Sequence, residues 1–416
     1  MINIISRESI IGGVAWFIAL FSMASPSLAI SPADAQLQLP SDIKDQPIDD
    51  YRKQLLQMAF EAASMIPLYP HIKDRARLQE QIVGACLDLD QPVKALRYSK
   101  EIPNWRRGAA YADVAIYCAK HDGSGEGLQP ILDRATVVAQ NAGQDWRVHH
   151  VKVKIAQVHA LLGRDDKATE MGTDVVDSEQ GKVETIQAMR DDAEAFNRHS
   201  ELLDKLIESE VFDRKQNALT GYVRLFGRHY EHADRRAKAE KTVIDGMSNM
   251  PIFLRIEWLV EMASHAADHN DRQKAVDLLN QAQTLMDHAE WRLRFELPLR
   301  ARLIKVQYRL GDEEGARNAA TTALARFKAD PAQITNIWRA ESLRPFAEVY
   351  AAMGDREAAQ DVYRLVLEQA VINPNSRPRA EDLAETCLSM ARAGVKPDEA
   401  LWAQIAKVKR NLSDPW

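Results

Sequence analysis

The feature that most constrains this chain is a turn phrase that recurs along it. At Gly163-Arg164, Asn270-Asp271, Gly311-Asp312 and Gly354-Asp355, apolar residues at helical spacing flank a residue suited to a left-handed backbone. An alanine follows each turn at the same offset: Ala168, Ala275, Ala316 and Ala359. Further turns are expected near Asp90, Asp122, Asn197, Glu231 and Gly394, so that turns follow one another along the whole chain at similar but unequal intervals. A second marker keeps the same register. Trp-Arg opens the first helix of a pair at Trp105, Trp146, Trp291 and Trp338, each at nearly the same distance before its turn. One helix pair is therefore repeated. In such an array each unit buries its apolar face against its neighbours, and 416 residues need not divide into separate cores.

The clearest unit runs from Trp338 to Ala370. Phe346, Ala347 and Tyr350 on its first helix, with Ala359 and Tyr363 on its second, place small residues opposite large ones so that two helices approach closely. This arrangement resembles the tetratricopeptide repeat. The resemblance implies an all-α solenoid, a superhelix of antiparallel helix pairs with about nine repeats over residues 48–411. At least sixteen helices and no sheet are expected. The intervals depart from the family's regular period, which predicts several longer helices. Pro345 stands within a helical pattern and is expected to kink or split that helix.

The chain begins differently. Ile10 to Ala24 is an apolar run of 15 residues, shorter than the roughly 20 that a membrane span needs. Residues 1–29 are read as a signal peptide, cut after Ser27-Leu28-Ala29 or as late as Ala33-Asp34-Ala35. A periplasmic or secreted protein is expected, the alternative being anchorage by an uncleaved N-terminal segment. Residues 30–47 are polar and contain proline, which reads as a flexible leader, and 412–416 as a C-terminal tail.

No catalytic motif stands out. His265 and His269 share a helix face at i, i+4, but Ala266 replaces the glutamate that a zinc hydrolase needs. The glycines between Asp122 and Gly127 lack a preceding strand and a following Lys-Ser/Thr, so they read as an inter-helix turn. Cys86, Cys118 and Cys387 are odd in number, and the first two occupy equivalent places in adjacent repeats, too far apart to bridge. Buried thiols are expected. A formal net charge of −6 does not suit a nucleic-acid partner. No cofactor or metal is expected.

The resemblance also implies that first helices line a concave face. Projected onto the C-terminal units, the inward positions are Lys305, Tyr308, Arg309, Glu341, Arg344 and Glu348, expected to be solvent-facing, with Lys305, Arg309 and Arg344 holding carboxylates of a protein or peptide partner. Two function classes follow: a non-enzymatic assembly scaffold of the cell envelope, and a helical-toroid enzyme acting on a polysaccharide. The second requires carboxylates that converge in one pocket with shifted pKa values.

Overall fold

The computed structural model describes residues 31–121, 125–141, 143–173 and 177–416, with the backbone alone at 172, 173 and 177–179. The expected signal segment and the turn at Asp122 lie outside these residues. The chain is all-α and 78% helical, and no strand occurs among the described residues. The helices are α1 (Pro32–Ala35), α2 (Asp50–Met65), α3 (Leu68–Asp88), α4 (Pro92–Ser99), α5 (Arg106–His121), α6 (Gln129–Gln140) and α7 (Asp145–Leu161). Then come α8 (Asp165–Thr173), α9 (Asp177–Ala188), α10 (Ala193–Ile207), α11 (Phe212–Arg228), α12 (Ala233–Gly246) and α13 (Ile252–Asp268). The last seven are α14 (Arg272–Asp287), α15 (Leu293–Arg309), α16 (Glu313–Ala329), α17 (Asn336–Ala352), α18 (Arg356–Ala370), α19 (Ser376–Ala393) and α20 (Glu399–Arg410).

The repeated turn works as its residues dictate. Asn270, Gly311 and Gly354 adopt positive φ angles of 60°, 84° and 74°, ending one helix. The aspartate that follows starts the next: Asp271, Asp312 and Asp355 accept hydrogen bonds from the backbone N–H of Lys274, Gly315 and Ala358 at 3.1, 3.0 and 3.1 Å. Each such cap is worth about 1 kcal/mol. The alanines at the shared offset after the turns are fully buried where the two helices of a pair meet. Ala275→Leu or Ala359→Leu should therefore overpack the pair and cost about 1–3 kcal/mol. Chemical denaturation checks this, and unchanged midpoints in both variants would show the register to be wrong.

Two local expectations are corrected. Asn197 lies inside α10, because Asp192 caps that helix through the Glu194 N–H at 2.9 Å and moves the turn back to residues 189–192. Helix α17 runs continuously through Pro345, as α15 does through Pro298, since a proline removes a single ladder bond and neighbouring helices hold the rest.

Odd-numbered helices from α3 to α19 each pack on the next odd-numbered helix, and the even-numbered ones from α4 to α18 pack against their odd-numbered neighbours in sequence. The chain then closes on itself. Helix α2 packs along α19 nearly as extensively as α18 packs along α17, and it also packs on α3. The last pair is thus completed by a helix from the opposite end of the chain, while α20 rests on α18 and α19. Leu55, Leu56, Ala59, Phe60, Ala62 and Ala63 of α2 are buried in this seam. Gly394 caps α19 in the left-handed region at φ 70°, where glycine is favoured, beside the Arg52 guanidinium of α2. Arg77 pairs with Glu381 at 3.1 Å, Arg392 with Asp88 at 2.7 Å, and Lys409 with Glu61.

The stretch expected as a flexible leader is packed over α4, α5 and α6. Asp34 is fully buried and Leu37 joins the core. The Asp34 carboxylate accepts from Tyr111 Oη at 2.8 Å and from Arg134 Nε at 2.7 Å, and pairs with Arg107 at 3.1 Å. Those tertiary partners add to the local cap that Ser31 places on α1. The three cysteines are free and buried, as expected, and burial pushes the Cys86 and Cys387 thiols up to about 12.

Candidate functional site

Ion pairs link successive odd-numbered helices, and most of the charges along that succession are neutralised by one another. Glu80 of α3 pairs with Arg106 of α5, and Asp113 of α5 pairs with Lys154 of α7 at 2.7 Å. Glu257 and Asp268 of α13 pair with Arg302 and Arg309 of α15, the former at 3.3 Å. Arg344 of α17 pairs with Glu385 of α19 at 2.6 Å. Each contact ties one odd-numbered helix to the next; the Glu257–Arg302 and Asp268–Arg309 pairs are partly exposed and contribute little individually, whereas Glu80, Lys154 and Arg344 are more deeply buried.

The six positions projected from sequence do not form one surface. Lys305 is exposed and without a partner among the described residues. Arg309 is also exposed, but its guanidinium is held by Asp268 and, at 2.6 Å, by the Ser264 hydroxyl. Tyr308 turns away and donates to the Met353 carbonyl at 3.2 Å. Glu341 stays exposed, whereas Glu348 accepts from Ser389 Oγ at 2.6 Å. Arg344, expected to face solvent, has only 12% of its side chain exposed, because α19 supplies Glu385 and Asp382 on top of it. Burial pushes the Asp382 carboxyl up to about 8; Arg344 opposes that shift, while Glu385, Glu381 and Glu341 add to it. His265 and His269 separate as well. His269 bonds Glu231 at 2.6 Å and stacks on Tyr230, and no three potential metal ligands cluster among the described residues.

The arc from α5 to α11 departs from the self-neutralised pattern. A cavity of about 850 Å³ opens there, lined by α5, α7, α9, α11 and the turn after α9, with no even-numbered helix contributing. Its floor is apolar, formed by Ile116, Ala119, Ala160, Leu161, Ile186 and Met189. Its polar lining includes Lys120, Lys182, Arg190, Arg224 and Arg228, and no carboxylate.

These cations differ in what they already do. Arg190 is committed to Asp165, through contacts of 2.8 and 2.5 Å, and to the Ala160 carbonyl at 2.6 Å. Arg228 donates only its Nε, to the Met189 carbonyl at 3.0 Å. Lys120 and Arg224 are exposed and have no partner among the described residues. Lys120 and Arg228 lie in last turns, where a cation offsets the helix dipole. Arg224 lies a turn earlier, stacked i, i+4 beneath Arg228, and like charges at that spacing repel. An anion seated between them would relieve that repulsion and gain unused guanidinium donors.

Sequence reasoning missed this cavity for a traceable reason. With the turn placed at Asn197, the inner face of α9 could not be projected. The surviving signal is Arg224 and Arg228 on the otherwise apolar second half of α11, residues 221–228. No family model and no curated protein matches the chain.

Proposed function

We propose that the chain is a non-enzymatic binding scaffold of the cell envelope: a tetratricopeptide-like array of nine helix pairs, bent round until its ends meet. Its concave wall between α5 and α11 holds an acidic protein segment that also carries apolar side chains. One observation carries the reading, namely the cationic cavity with an apolar floor. Free Lys120 and Arg224 call for carboxylates, and the floor calls for aliphatic side chains between them. The apolar run at the N-terminus supports export to the periplasm, or secretion, as the setting.

The test uses a labelled peptide of alternating Glu and Leu, with a Glu/Ser peptide as control, in fluorescence anisotropy at low and physiological salt. The Glu/Leu peptide should bind, and more weakly as salt rises. Lys120→Glu, Arg224→Glu and Arg228→Glu together should weaken it at least tenfold at low salt, about 1.4 kcal/mol. Lys305→Glu with Arg309→Glu should leave it unchanged. Loss of binding in the second variant and not in the first would move the site to α15 and overturn this placement.

The second reading, an enzyme acting on a polysaccharide, draws on Asp382, whose carboxyl stays protonated near neutral pH beside Glu381 and Glu385. Only 8% of that side chain is exposed, which leaves little room for a substrate to reach it. Release of reducing ends from a cell-wall polysaccharide by the wild type, lost in Asp382→Asn, would establish that reading.

A further inference from the structure

We propose that one edge of the helix stack, made by the first turns of the odd-numbered helices, rests on an anionic lipid bilayer. No described helix is long and apolar enough to cross it, so the contact is peripheral. The proposal goes beyond the binding scaffold and does not rest on it, because Lys120, Arg224 and Arg228 lie toward the other ends of their helices. Short links make successive helices alternate in direction from α3 to α19, so the odd-numbered ones run parallel. Their ends meet accordingly. Tyr230 after α11 stacks on His269 after α13 at 4.5 Å, and Arg272 donates to the Leu310 carbonyl after α15. At the starts, Trp105 packs edge-on against Trp146 at 5.2 Å, and Arg294 lies 3.5 Å from the centre of the Trp338 ring.

That edge collects the exposed apolar side chains. Tyr69, Trp146, Phe212, Phe253, Phe295 and Ile337 stand in the first turns of α3, α7, α11, α13, α15 and α17, and all are exposed, Tyr69 by 88% and Trp146 by 52%. Every other exposed large apolar side chain among the described residues, save Val93, lies in a last turn or link that leads into an odd-numbered helix. Single apolar residues scattered over a surface need no explanation, but their confinement to one edge does.

Cations accompany them. Lys73, Lys215, Arg255, Arg292, Arg294 and Arg339 stand within two turns of those starts, and none pairs with a carboxylate among the described residues. The helix N-termini add partial positive charge to the same edge. Glu208, Glu210 and Glu290 stand there too, so attraction to anions adds to apolar anchoring and does not replace it. The opposite edge is unlike it: Asp271, Asp312, Asp355 and Asp398 cap the helices there, and Glu313 and Glu314 follow. Packed helices lie about 8–10 Å apart, so the anchors are spread along the stack at roughly that step. A bound peptide needs its apolar contacts gathered in one place. A bilayer instead offers a broad surface, with headgroup anions above an apolar layer, where arginine and aromatic side chains are both favoured.

The test adds the full chain to vesicles of phosphatidylcholine with phosphatidylglycerol, or of phosphatidylcholine alone. An environment-sensitive dye is attached to Phe253→Cys or Phe295→Cys on the edge, or to Val93→Cys on the opposite one; the three native thiols are buried. The dyes at 253 and 295 should brighten and shift to the blue on the anionic vesicles, several-fold more than the dye at 93, and less as salt rises. An apolar leader that enters the bilayer would tether the chain without choosing this edge, so the position of the responding dye is read and not the amount bound. Adding Lys73→Glu, Lys215→Glu and Arg292→Glu to the Phe253→Cys chain should raise the lipid concentration at half-effect about tenfold or more. Equal responses at 93 and 253, no response at 253 and 295, or an unchanged half-effect in the charge variant overturns the inference. So does the same response without vesicles accompanied by a dimer in sedimentation, which would assign the edge to a second copy of the chain.

Discussion

Leu56→Asp in α2 is expected to release that helix from α19 and open the ring while most of the other pairs stay folded. Leu56 has no exposed surface, and the seam around it is aliphatic and aromatic, with Phe60 stacked on Tyr98 at 3.9 Å. A carboxylate there is set among buried apolar side chains, and an uncompensated buried charge costs about 3–5 kcal/mol. The loss is capped at whatever the docking of α2 contributes, because the helix can leave. In a linear array each pair contacts only its neighbours, so α19 loses its partner and α5 to α17 do not. Small-angle scattering should show a larger radius of gyration, and proteolysis should move to residues 48–67. Unchanged scattering with an unchanged digestion pattern would mean that α2 does not seal the structure.

Asp34→Ala is expected to destabilise the protein by about 2–3 kcal/mol, as an unpaired buried polar cluster does, after a discount for water reaching the guanidinium groups. The discount is warranted because the Arg107 and Arg134 side chains keep 24% and 20% of their exposure. The pH dependence has a fixed sign. Burial alone would raise the Asp34 pKa, but hydrogen bonds from Arg134, Ser31 and Tyr111, with the charge of Arg107, hold it down to about 2. A carboxylate depressed in the folded state adds stability above its unfolded pKa of about 3.9 and loses it as pH falls toward 2. The wild type should therefore lose this increment between about pH 4 and pH 2, and the variant should lack that part of the acid slope. Equilibrium denaturation at several pH values measures it, and parallel slopes in the two proteins would contradict the assignment.

What was legible in the sequence is what local chemistry decides. A left-handed residue followed by an aspartate ends one helix and starts another wherever it occurs. Asp271, Asp312 and Asp355 thus announced their turns, and Trp105, Trp146, Trp291 and Trp338 announced the helices before them. The turn between α9 and α10 was not legible, because neither a glycine nor an asparagine marks it and the asparagine at 197 sits a turn inside the next helix. That slip hid the inner face of α9, and with it half of the cationic cavity. The six C-terminal positions were projected on the right helices. Which of them α13 and α19 neutralise depends on Asp268, Asp382 and Glu385, each contributed by a neighbouring helix pair and invisible to a local window. Ring closure left no local trace, because α2 looks like any amphipathic helix and its partner lies at the opposite end of the chain. The packed leader was misread for the same reason: beyond the local bond from Ser31, Asp34 is held by Arg107, Tyr111 and Arg134, far from it in sequence.

Closure rests on the packing of α2 against α19, and one contact reports on it directly. Lys409 and Glu61 form an ion pair between the last helix and the second. A zero-length carbodiimide cross-linker, applied to monomer at low concentration and read by peptide mass spectrometry, should join these two side chains within one molecule. Lys274 and Glu240, 2.8 Å apart and comparably exposed, serve as the internal reference. A closed ring predicts both links in the same monomer band. The Lys274–Glu240 link without the Lys409–Glu61 link, or the latter only between two molecules, would contradict it.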